Sequence, residues 1–353
     1  MNGVPKTIQA AVQSLKRAEA RARKRRPRFE RKPTKPFRFN ESRHGPVLEM
    51  LYFYGAARTS DIVDITTTAY DRIREEEPGF NITNIRKFLT DDELSHMYHD
   101  GGLLTRRKVG NTEQILHGLS TTGAKKLRDT FGYAIANTDY TQDFKTRTPA
   151  SQKHKSEIAR YSAAIHRAAR VLDGIEFTDR PEIFKQNLIP ADVWMRRKEA
   201  KLKDEYWKAS LSKGTVKKLQ AEADWMHRFL GCSFDPETPQ FHFPEIDMGT
   251  ESVNSKNLKR TSIYRKMLCY INAYYQGFHK EYWGIQSFRI PWIINTGYHG
   301  KERLDNFLEV TQTVTNGKGT RLFVFIPAEA LSSENILLET FVNGKGETVR
   351  LVD

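Results

Sequence analysis

The first forty residues carry most of the net charge of the chain. Because a block of like charges does not pack into a core, we expect the folded core to lie in the residues that follow. Thirteen of the 57 Lys and Arg residues lie in residues 1–40, against only Glu19 and Glu30, so the segment carries +11 of the formal net charge of +14. Prolines at 27, 33 and 36 interrupt any helix there. Blocks of like charge repel each other and stay extended. We therefore predict a disordered basic arm over residues 1–40.

A basic arm of this kind suits a nucleic acid as partner. Cations on a mobile segment neutralise phosphates and release counterions, which gives salt-sensitive binding with little sequence preference. The alternatives are a solubilising tail and a membrane-surface patch, and the arm lacks the large apolar anchors that a membrane patch needs. The densest candidates for phosphate contact are Arg23, Lys24, Arg25, Arg26 and Arg28.

Composition excludes several classes of protein. A chain of 353 residues is long enough for two domains, and no run approaches the roughly 20 apolar residues that a bilayer crossing needs. The first thirty residues lack the apolar centre of a secretion signal. Two cysteines, Cys232 and Cys269, are too few for a disulfide framework or a Cys-rich zinc site. We expect a cytoplasmic protein that does not associate with membranes.

Residues 41–130 show the order of helices and strands that is typical of a winged helix. Apolar spacing predicts a helix over 44–58, and Thr59-Ser60 offers a cap for a short second helix. A further helix is predicted from Asp91, and two strands then flank a turn at Gly110-Asn111. A closing helix follows these strands, and no element is predicted over residues 68–90.

The wing supplies a second set of DNA-binding candidates. The stretch GGLLTRRKVGNTEQILHGLSTTGAKKL resembles the helix-and-wing end of many winged-helix DNA-binding domains. In that interpretation Arg106, Arg107 and Lys108 lie beside the wing and approach DNA phosphates. The alternative is a winged helix used for protein contacts, which the pattern does not exclude. The polar, turn-rich residues 131–153 are predicted to be a linker.

Helices and strands alternate over residues 154–353. A helix over 154–174 precedes two apolar strands, the first with Asp192 and the second, QFHFPEIDM, with Glu245 and Asp247 on one side. Later elements are a helix that carries Lys266, a strand, a helix, a strand and a hairpin that turns at Asn343-Gly344. The helix with Lys266 has a predicted buried stripe of Ile263, Met267, Tyr270 and Tyr274. A Lys-rich helical insert at 196–239 is either an additional DNA or partner contact or a surface helical hairpin.

This order resembles the PD-(D/E)XK nuclease core, a restriction-endonuclease-like domain with a mixed central sheet. Carboxylates on neighbouring strands are the hard oxygen ligands that Mg²⁺ (or Mn²⁺) prefers, so Asp192, Glu245 and Asp247 are candidate metal ligands. Such a metal activates water and stabilises transition-state charge, a role that Lys266 would share. Glu157 is a candidate fifth group. The alternative places the three acids as solvated strand-end residues and Lys266 as a snorkelling lysine. If Asp192 and Glu245 bind a metal, their neutral substitution would leave stability unchanged or slightly raised, because mutual repulsion in the empty site is relieved.

A second resemblance covers about residues 44–315. FPEIDMGTES, NLKRTSIYRKMLCYINAYY and GIQSFRIPWIINT are similar to the plasmid replication-relaxation family. The family has a winged helix, an E-x-D-x-G-T motif, a Ser-Ile-x-x-Lys helix and an Arg-bearing strand, and it is itself similar to the C-class mobilisation relaxases of conjugative plasmids. The corresponding residues here are Glu245, Asp247, Gly249, Thr250, Ser262, Ile263, Lys266 and Arg289.

The chain departs from the family pattern in two places. Pro190-Ala191-Asp192 is one residue longer than the usual Pro-Asp pair, and Lys266 lies on a helix rather than on the acidic strand. The resemblance implies an α+β or α/β protein that binds double-stranded DNA at a plasmid origin, nicks it with Mg²⁺, and meets relaxosome, coupling or replication proteins. The alternative function is a non-catalytic origin-binding or replication-control protein that keeps the nuclease-like fold.

Overall fold

The computed structural model of the chain describes two stretches, residues 30–177 and 230–352. Short gaps lie at 78, 81, 109–113, 134, 136–138, 173–174, 176, 233–239, 256–261, 276, 278, 281–285 and 296–299. Asp192, most of the 196–239 insert and the arm residues Arg23, Lys24, Arg25, Arg26 and Arg28 lie outside the described residues. Within them the protein mixes helices and strands and contains a mixed sheet. None of the described helices combines the length and apolar character that a bilayer crossing requires.

The first stretch builds a helix–hairpin module over residues 41–131. Its small sheet is antiparallel with the strand order β1-β3-β2, and Arg106 of β2 lies opposite His117 of β3. Its elements are α1 (Glu41–Tyr54), β1 (Ala57–Arg58), α2 (Thr59–Glu76), α3 (Ile85–Phe88), a π-helical turn (Leu89–Glu93), α4 (Leu94–His99), β2 (Leu104–Lys108), β3 (Ile115–Leu119) and α5 (Thr121–Phe131).

Local sequence explains where the helices of the module begin and end. The Asn40 side chain accepts a hydrogen bond from the Arg43 amide and caps α1, and the Ser120 hydroxyl does the same for the Gly123 amide of α5. Gly55 ends α1 with φ 76°, a left-handed conformation that favours glycine. These caps set the observed boundaries, so that α1 begins three residues before the predicted 44–58 helix and ends four residues before its predicted end.

Two helices of the module are longer than the sequence pattern predicts. The second helix runs for 18 residues to Glu76, and helical structure before α4 begins at Ile85 rather than at Asp91. Thr66 and Thr67 return hydrogen bonds to carbonyls one turn earlier, a polar stretch that hides the helical period. The π-helical turn shifts the period between α3 and α4 in the same way.

Residues 30–40 pack against the end of α4, which differs from the disordered arm predicted for them. The Arg31 guanidinium donates to the His99 carbonyl at 3.1 Å, and the Thr34 and Lys35 amides donate to Asp100 Oδ1 at 2.7 and 3.1 Å. The Phe37 ring lies 4.9 Å from the ring of His96. The segment therefore forms part of the module although its composition is that of the arm.

The predicted linker at 131–153 also contains regular structure. A short helix, α6 (Tyr140–Thr146), precedes α7 (Pro149–Ala169), which starts inside the same range. Phe144 is 2% exposed and packs with Ala56 and Leu116 of the module. One buried aromatic side chain docks the segment, because its burial stabilises the fold by about 2 kcal/mol.

The second stretch forms a seven-stranded mixed sheet. The strand order is β10-β9-β8-β7-β5-β4, and β6 continues the line of β5 beyond Pro244 and also pairs with β7. β5, β6, β7 and β8 are parallel, whereas β4, β9 and β10 are antiparallel to their neighbours. The elements are β4 (Leu230–Cys232), β5 (Gln240–His242), β6 (Glu245–Asp247), α8 (Ile263–Tyr275), β7 (Phe288–Ile294), α9 (Gly300–Val314), β8 (Phe323–Pro327), β9 (Phe341–Asn343) and β10 (Thr348–Val349).

Helices cover both faces of the sheet and define what each strand residue contacts. Ile246 and Ile293 belong to the core that includes α7 and the module, whereas Trp292 and Ile294 belong to a second core with α8 and α9. Side chains alternate between faces along a strand, so Glu245 and Asp247 face α8 and α9. The single strand predicted over QFHFPEIDM is two short strands, β5 and β6, on either side of Phe243-Pro244, because proline has no amide to donate to a neighbouring strand. Both acids lie on one side, as predicted.

Candidate functional site

The acidic candidates lie at the carboxyl end of β6, beside two other parallel strands. Asp247 is in register with Ile294, which is in register with Pro327, so β6, β7 and β8 end together. α8 and α9 are the helices that follow β6 and β7 in the chain. Ligand sites of open α/β sheets lie at this edge. This edge of the sheet is therefore the candidate site for ligand binding or catalysis.

Glu245 is buried and already has two partners. Its side chain is 2% exposed, and Oε1 accepts a hydrogen bond from the Tyr270 hydroxyl at 2.5 Å. Lys266 Nζ lies 3.7 Å from Oε2. Both partners come from α8, where Tyr270 follows Lys266 by one helical turn. The buried charge is stabilised by one cation and one hydroxyl.

Asp247 is bound by an arginine that the sequence does not single out. Arg303 Nε donates to Oδ2 at 2.5 Å, and its Nη2 donates to Oδ1 at 2.6 Å, while the Asp247 side chain is fully buried. The amide of Gly249 also donates to Oδ1 at 3.0 Å. The hydrogen bonds that Arg303 donates to Asp247 raise the pKa of its guanidinium. The fork–carboxylate geometry makes this the strongest ion pair of the site.

A third carboxylate, Glu251, joins the two pairs into one cluster. Lys266 Nζ lies 2.8 Å from Glu251 Oε2, and Arg303 Nη2 donates to the Glu251 carbonyl at 3.2 Å. We call Glu245, Asp247 and Glu251, with the cations Lys266 and Arg303, the acidic cluster. Three carboxylates against two cations leave one formal negative charge.

The described residues do not fit a divalent cation. Mg²⁺ and Mn²⁺ need carboxylate oxygens that are open to the metal. Both oxygens of Asp247 accept hydrogen bonds from Arg303, and one oxygen of Glu245 accepts from Tyr270. Within the two described stretches, no group of three His, Cys, Asp or Glu side chains could hold a metal ion. The metal site expected from the sequence would need Asp192, which lies outside them.

Glu157 lies in a different ion-pair group. It contacts Arg58 of β1 and forms an ion pair with Arg160 at 3.3 Å. Burial raises the pKa of Asp61 in the first turn of α2, and the charge of nearby Glu157 adds to this effect. Glu157 thus joins α7 to the module, and its carboxylate is bound there rather than by the acidic cluster.

The remaining motif residues are structural. Ser262 caps α8, accepting from the Arg265 amide at 3.2 Å, and Ile263 is a fully buried core residue. Gly249 has φ 73°, which favours glycine at the turn after β6, and Thr250 is exposed. Arg289 lies at the opposite end of β7, about 17 Å along the strand from Ile294, and donates to the Arg350 carbonyl.

Two of the three predicted wing cations are bound by their own chain. Arg106 donates to the Leu94 carbonyl at 2.8 Å and lies over the Tyr98 ring at 4.5 Å, and burial lowers its pKa to about 10. Arg107 donates to the carbonyls of Lys145 and Arg147 at the end of α6. Lys108 is exposed at the end of β2.

Sequence reasoning identified Glu245, Asp247 and Lys266 but missed Arg303, Tyr270 and Glu251. Tyr270 was assigned to the buried stripe of α8, where it lies, but not to a hydrogen bond with Glu245. Arg303 follows Asp247 by 56 residues and no motif connects them. The only available signal was its place in the first turn of the helix that follows β7.

The roles given to the residues above rest on their geometry and chemistry, because comparison with known proteins adds no relative. The searches gave no match to a family model, to a curated protein or to a solved structure.

Proposed function

We propose that the chain binds double-stranded DNA and that residues 41–130 form a winged-helix domain that contacts the duplex. One observation carries the proposal: the module has the order helix, strand, helix, a continuous helical segment from Ile85 to His99, strand, strand and helix, with the antiparallel strand order β1-β3-β2. In a winged helix this order presents one helix to the major groove and the hairpin to the flanking backbone.

The charges of the module support the same partner. Arg86 and Lys87 are exposed in α3, and Lys108 is exposed where β2 ends. The chain before residue 30 adds nine further Lys or Arg residues against one Glu. Cations near phosphates release counterions, so this distribution favours duplex DNA over a neutral partner.

The identity of the DNA rests on the motif resemblance alone. The E-x-D-x-G-T and Ser-Ile-x-x-Lys motifs support an origin on a plasmid or mobile element as the target. They also support replication, relaxosome or coupling proteins as partners. In this reading the protein marks or controls an origin and keeps a nuclease-like PD-(D/E)XK fold without requiring the cleavage reaction.

Lys87→Gln/Lys108→Gln tests the DNA-binding surface. Both residues are exposed, so their substitution is expected to change stability by no more than about 0.5 kcal/mol. We expect weaker binding to a 30-base-pair duplex, measured by fluorescence anisotropy, with a salt dependence reduced by about one unit per lost phosphate contact. Lys318→Gln on the second stretch is the matched control. Equal binding by both variants and the parent would contradict the proposed surface.

Origin nicking is the second candidate function, and one observation favours it. Lys266 lies 3.7 Å from Glu245 at the carboxyl end of a parallel strand, which is the acid–lysine pairing expected of a PD-(D/E)XK site. The ion pair between Arg303 and Asp247 opposes it. Incubation of supercoiled plasmid with the protein and Mg²⁺ or Mn²⁺ distinguishes nicking from non-catalytic DNA binding, because nicking relaxes the plasmid. Binding without relaxation supports the non-catalytic function, whereas relaxation that Lys266→Met abolishes would establish the nicking function.

A further inference from the structure

Three arginines converge on Asp64 where α2, α3 and the end of α7 meet. Arg167 Nη1 lies 2.8 Å from Asp64 Oδ2, and Arg170 Nη2 lies 3.6 Å from Oδ1. Arg86 Nη2 approaches the same Oδ1 to 3.9 Å. We call Arg86, Arg167 and Arg170 the arginine cluster. Its members come from the module and from α7, two parts of the chain that are far apart in sequence.

The cluster has more positive charge than its carboxylates neutralise. Among the described residues, Asp64 is the one carboxylate paired with all three guanidinium groups. The next acid that acts on Arg170, Asp71, is paired with Arg74 at 2.5 Å. Four arginines against two aspartates leave two formal positive charges. Burial lowers the pKa of Arg170, attraction by Asp64 and Asp71 opposes this effect, and repulsion from the other two arginines of the cluster adds to it. An anion placed among them would relieve this repulsion.

One arginine of the cluster is held in place by hydrogen bonds, and the other two are partly exposed to solvent. Arg167 is held by Asp64 and by the carbonyls of Leu331 and Ser333 at 3.1 and 3.2 Å. The side chain of Arg86 is 68% exposed, and its ion pair with Asp64 is long, at 3.9 Å. Each guanidinium has five N–H donors, so Arg86 and Arg170 keep donors for a ligand.

The position of the cluster indicates which anion it meets. Arg86 is the second residue of α3, the helix that also presents Lys87, and α7 lies along α2 beside it. A guanidinium fork matches the oxygens of a phosphate. A duplex that contacts α3 would bring its sugar–phosphate backbone past the adjoining end of α7.

We propose that Arg86 and Arg170, which lie beside the fixed pair of Arg167 and Asp64, bind a backbone phosphate of duplex DNA, so that the end of α7 extends the DNA-binding surface beyond the module. This inference rests on the proposed function, because it names a contact of the same DNA. Asp64 holds the three guanidinium groups together, and the phosphate supplies the second anion that the cluster lacks.

The test is the salt dependence of duplex binding by Arg86→Gln and by Arg86→Gln/Arg170→Gln. Loss of one phosphate contact should make the slope of log Kd against log salt about 0.9 shallower in the double variant. Affinity at 0.1 M salt should fall about tenfold, because a charge-assisted contact contributes roughly 1.4 kcal/mol. Arg86→Gln alone should show part of both effects without a change in stability, since its side chain is exposed.

Arg321→Gln is the matched control, because Arg321 is 70% exposed and paired with a glutamate as part of the second stretch. A control that loses as much slope as Arg86→Gln would overturn the inference, and so would an unchanged slope in Arg86→Gln. A parent protein that binds no duplex at 50 mM salt would overturn the proposed function itself. Normal parent binding with normal Arg86→Gln binding would overturn the phosphate contact alone.

Discussion

At the scale of single residues, the two acids that alternate along β6 have different partners. Glu245 shares a lysine and a tyrosine hydroxyl with α8, whereas Asp247 forms a buried two-point ion pair with Arg303 of α9. Each charge is compensated inside the protein. Relief of mutual repulsion, expected from the sequence for an empty metal site, is therefore not the dominant effect at Asp247.

Substitution of Asp247 should destabilise the fold. Asp247→Asn leaves the Arg303 guanidinium without its carboxylate, and breaking a buried pair costs about 3 kcal/mol. Arg303→Met should cost a similar amount, and the double variant should cost clearly less than the sum of the two. Urea unfolding of the three variants measures these energies. An unchanged or raised stability in Asp247→Asn would restore the metal-site interpretation.

Asp61 should make stability depend on pH. Burial raises its pKa from 3.8 to about 6, and attraction by Arg58 offsets only part of this effect. The folded chain therefore binds this proton more tightly than the unfolded chain. The associated stability is fully present below pH 3.8 and is lost as the pH rises through 6, about 3 kcal/mol in total.

Asp61→Asn isolates this contribution from the other acids. The difference in the free energy of unfolding between the variant and the parent should shift in favour of the variant by 2–3 kcal/mol, roughly, from pH 4 to pH 7. Urea titrations at four pH values in this range measure it. A difference that does not change with pH would show that Asp61 is charged in the folded protein across the whole range.

At the scale of elements, the sequence predicted the strands and helices that bury a regular apolar face. β2, β3, β7, β8 and the final hairpin lie where their alternation and turn residues indicate, and α8 has its predicted buried stripe. The pattern failed where a polar segment is held by single contacts, as with Phe144 in α6 and Asp100 beside residues 30–40. Such contacts depend on the partner surface, which local spacing does not encode.

In the β2–β3 hairpin, too, the sequence predicted the strand but not the contacts of its side chains. The sequence placed Arg106, Arg107 and Lys108 on one strand and assigned all three to DNA. The structure holds the two arginines against α4 and α6 and leaves the lysine exposed. The three substitutions should therefore have different consequences for stability and for binding.

Arg106→Gln should lower the free energy of unfolding by about 1–2 kcal/mol, because it removes a cation–π contact and a hydrogen bond to a carbonyl. Lys108→Gln should leave stability within about 0.5 kcal/mol of the parent and weaken duplex binding. Thermal unfolding and anisotropy on the same samples compare the two. The reverse pattern, with Arg106→Gln fully stable and defective only in DNA binding, would return Arg106 to the DNA interface.

At the scale of the whole molecule, one core connects the module to the sheet. Leu48 and Ile62 of the module belong to the same buried cluster as Ile165 of α7 and Ile293 and Val324 of the sheet. The sequence indicated the two architectures but not this shared core. α7 contacts both α2 of the module and β6 of the sheet, and local spacing does not encode that one helix has two partners.

The shared core predicts that the module and the sheet unfold together. A calorimetric scan should show one transition, with a van't Hoff enthalpy close to the calorimetric enthalpy. Ile165→Ala, which leaves a cavity in this core, should lower the midpoint of the whole transition rather than split it. Two separate transitions, of which Ile165→Ala shifts only one, would contradict a common core.

Duplex DNA binding is the central claim, and its salt dependence tests it most directly. The parent protein and a 30-base-pair duplex of unrelated sequence are titrated at salt concentrations between 50 and 300 mM. With five or more phosphates contacted by the module, the arginine cluster and the residues before 30, the slope of log Kd against log salt should have a magnitude of about 4.5 or more. Absence of binding at 50 mM salt, or a slope of magnitude below about 1, would contradict the account.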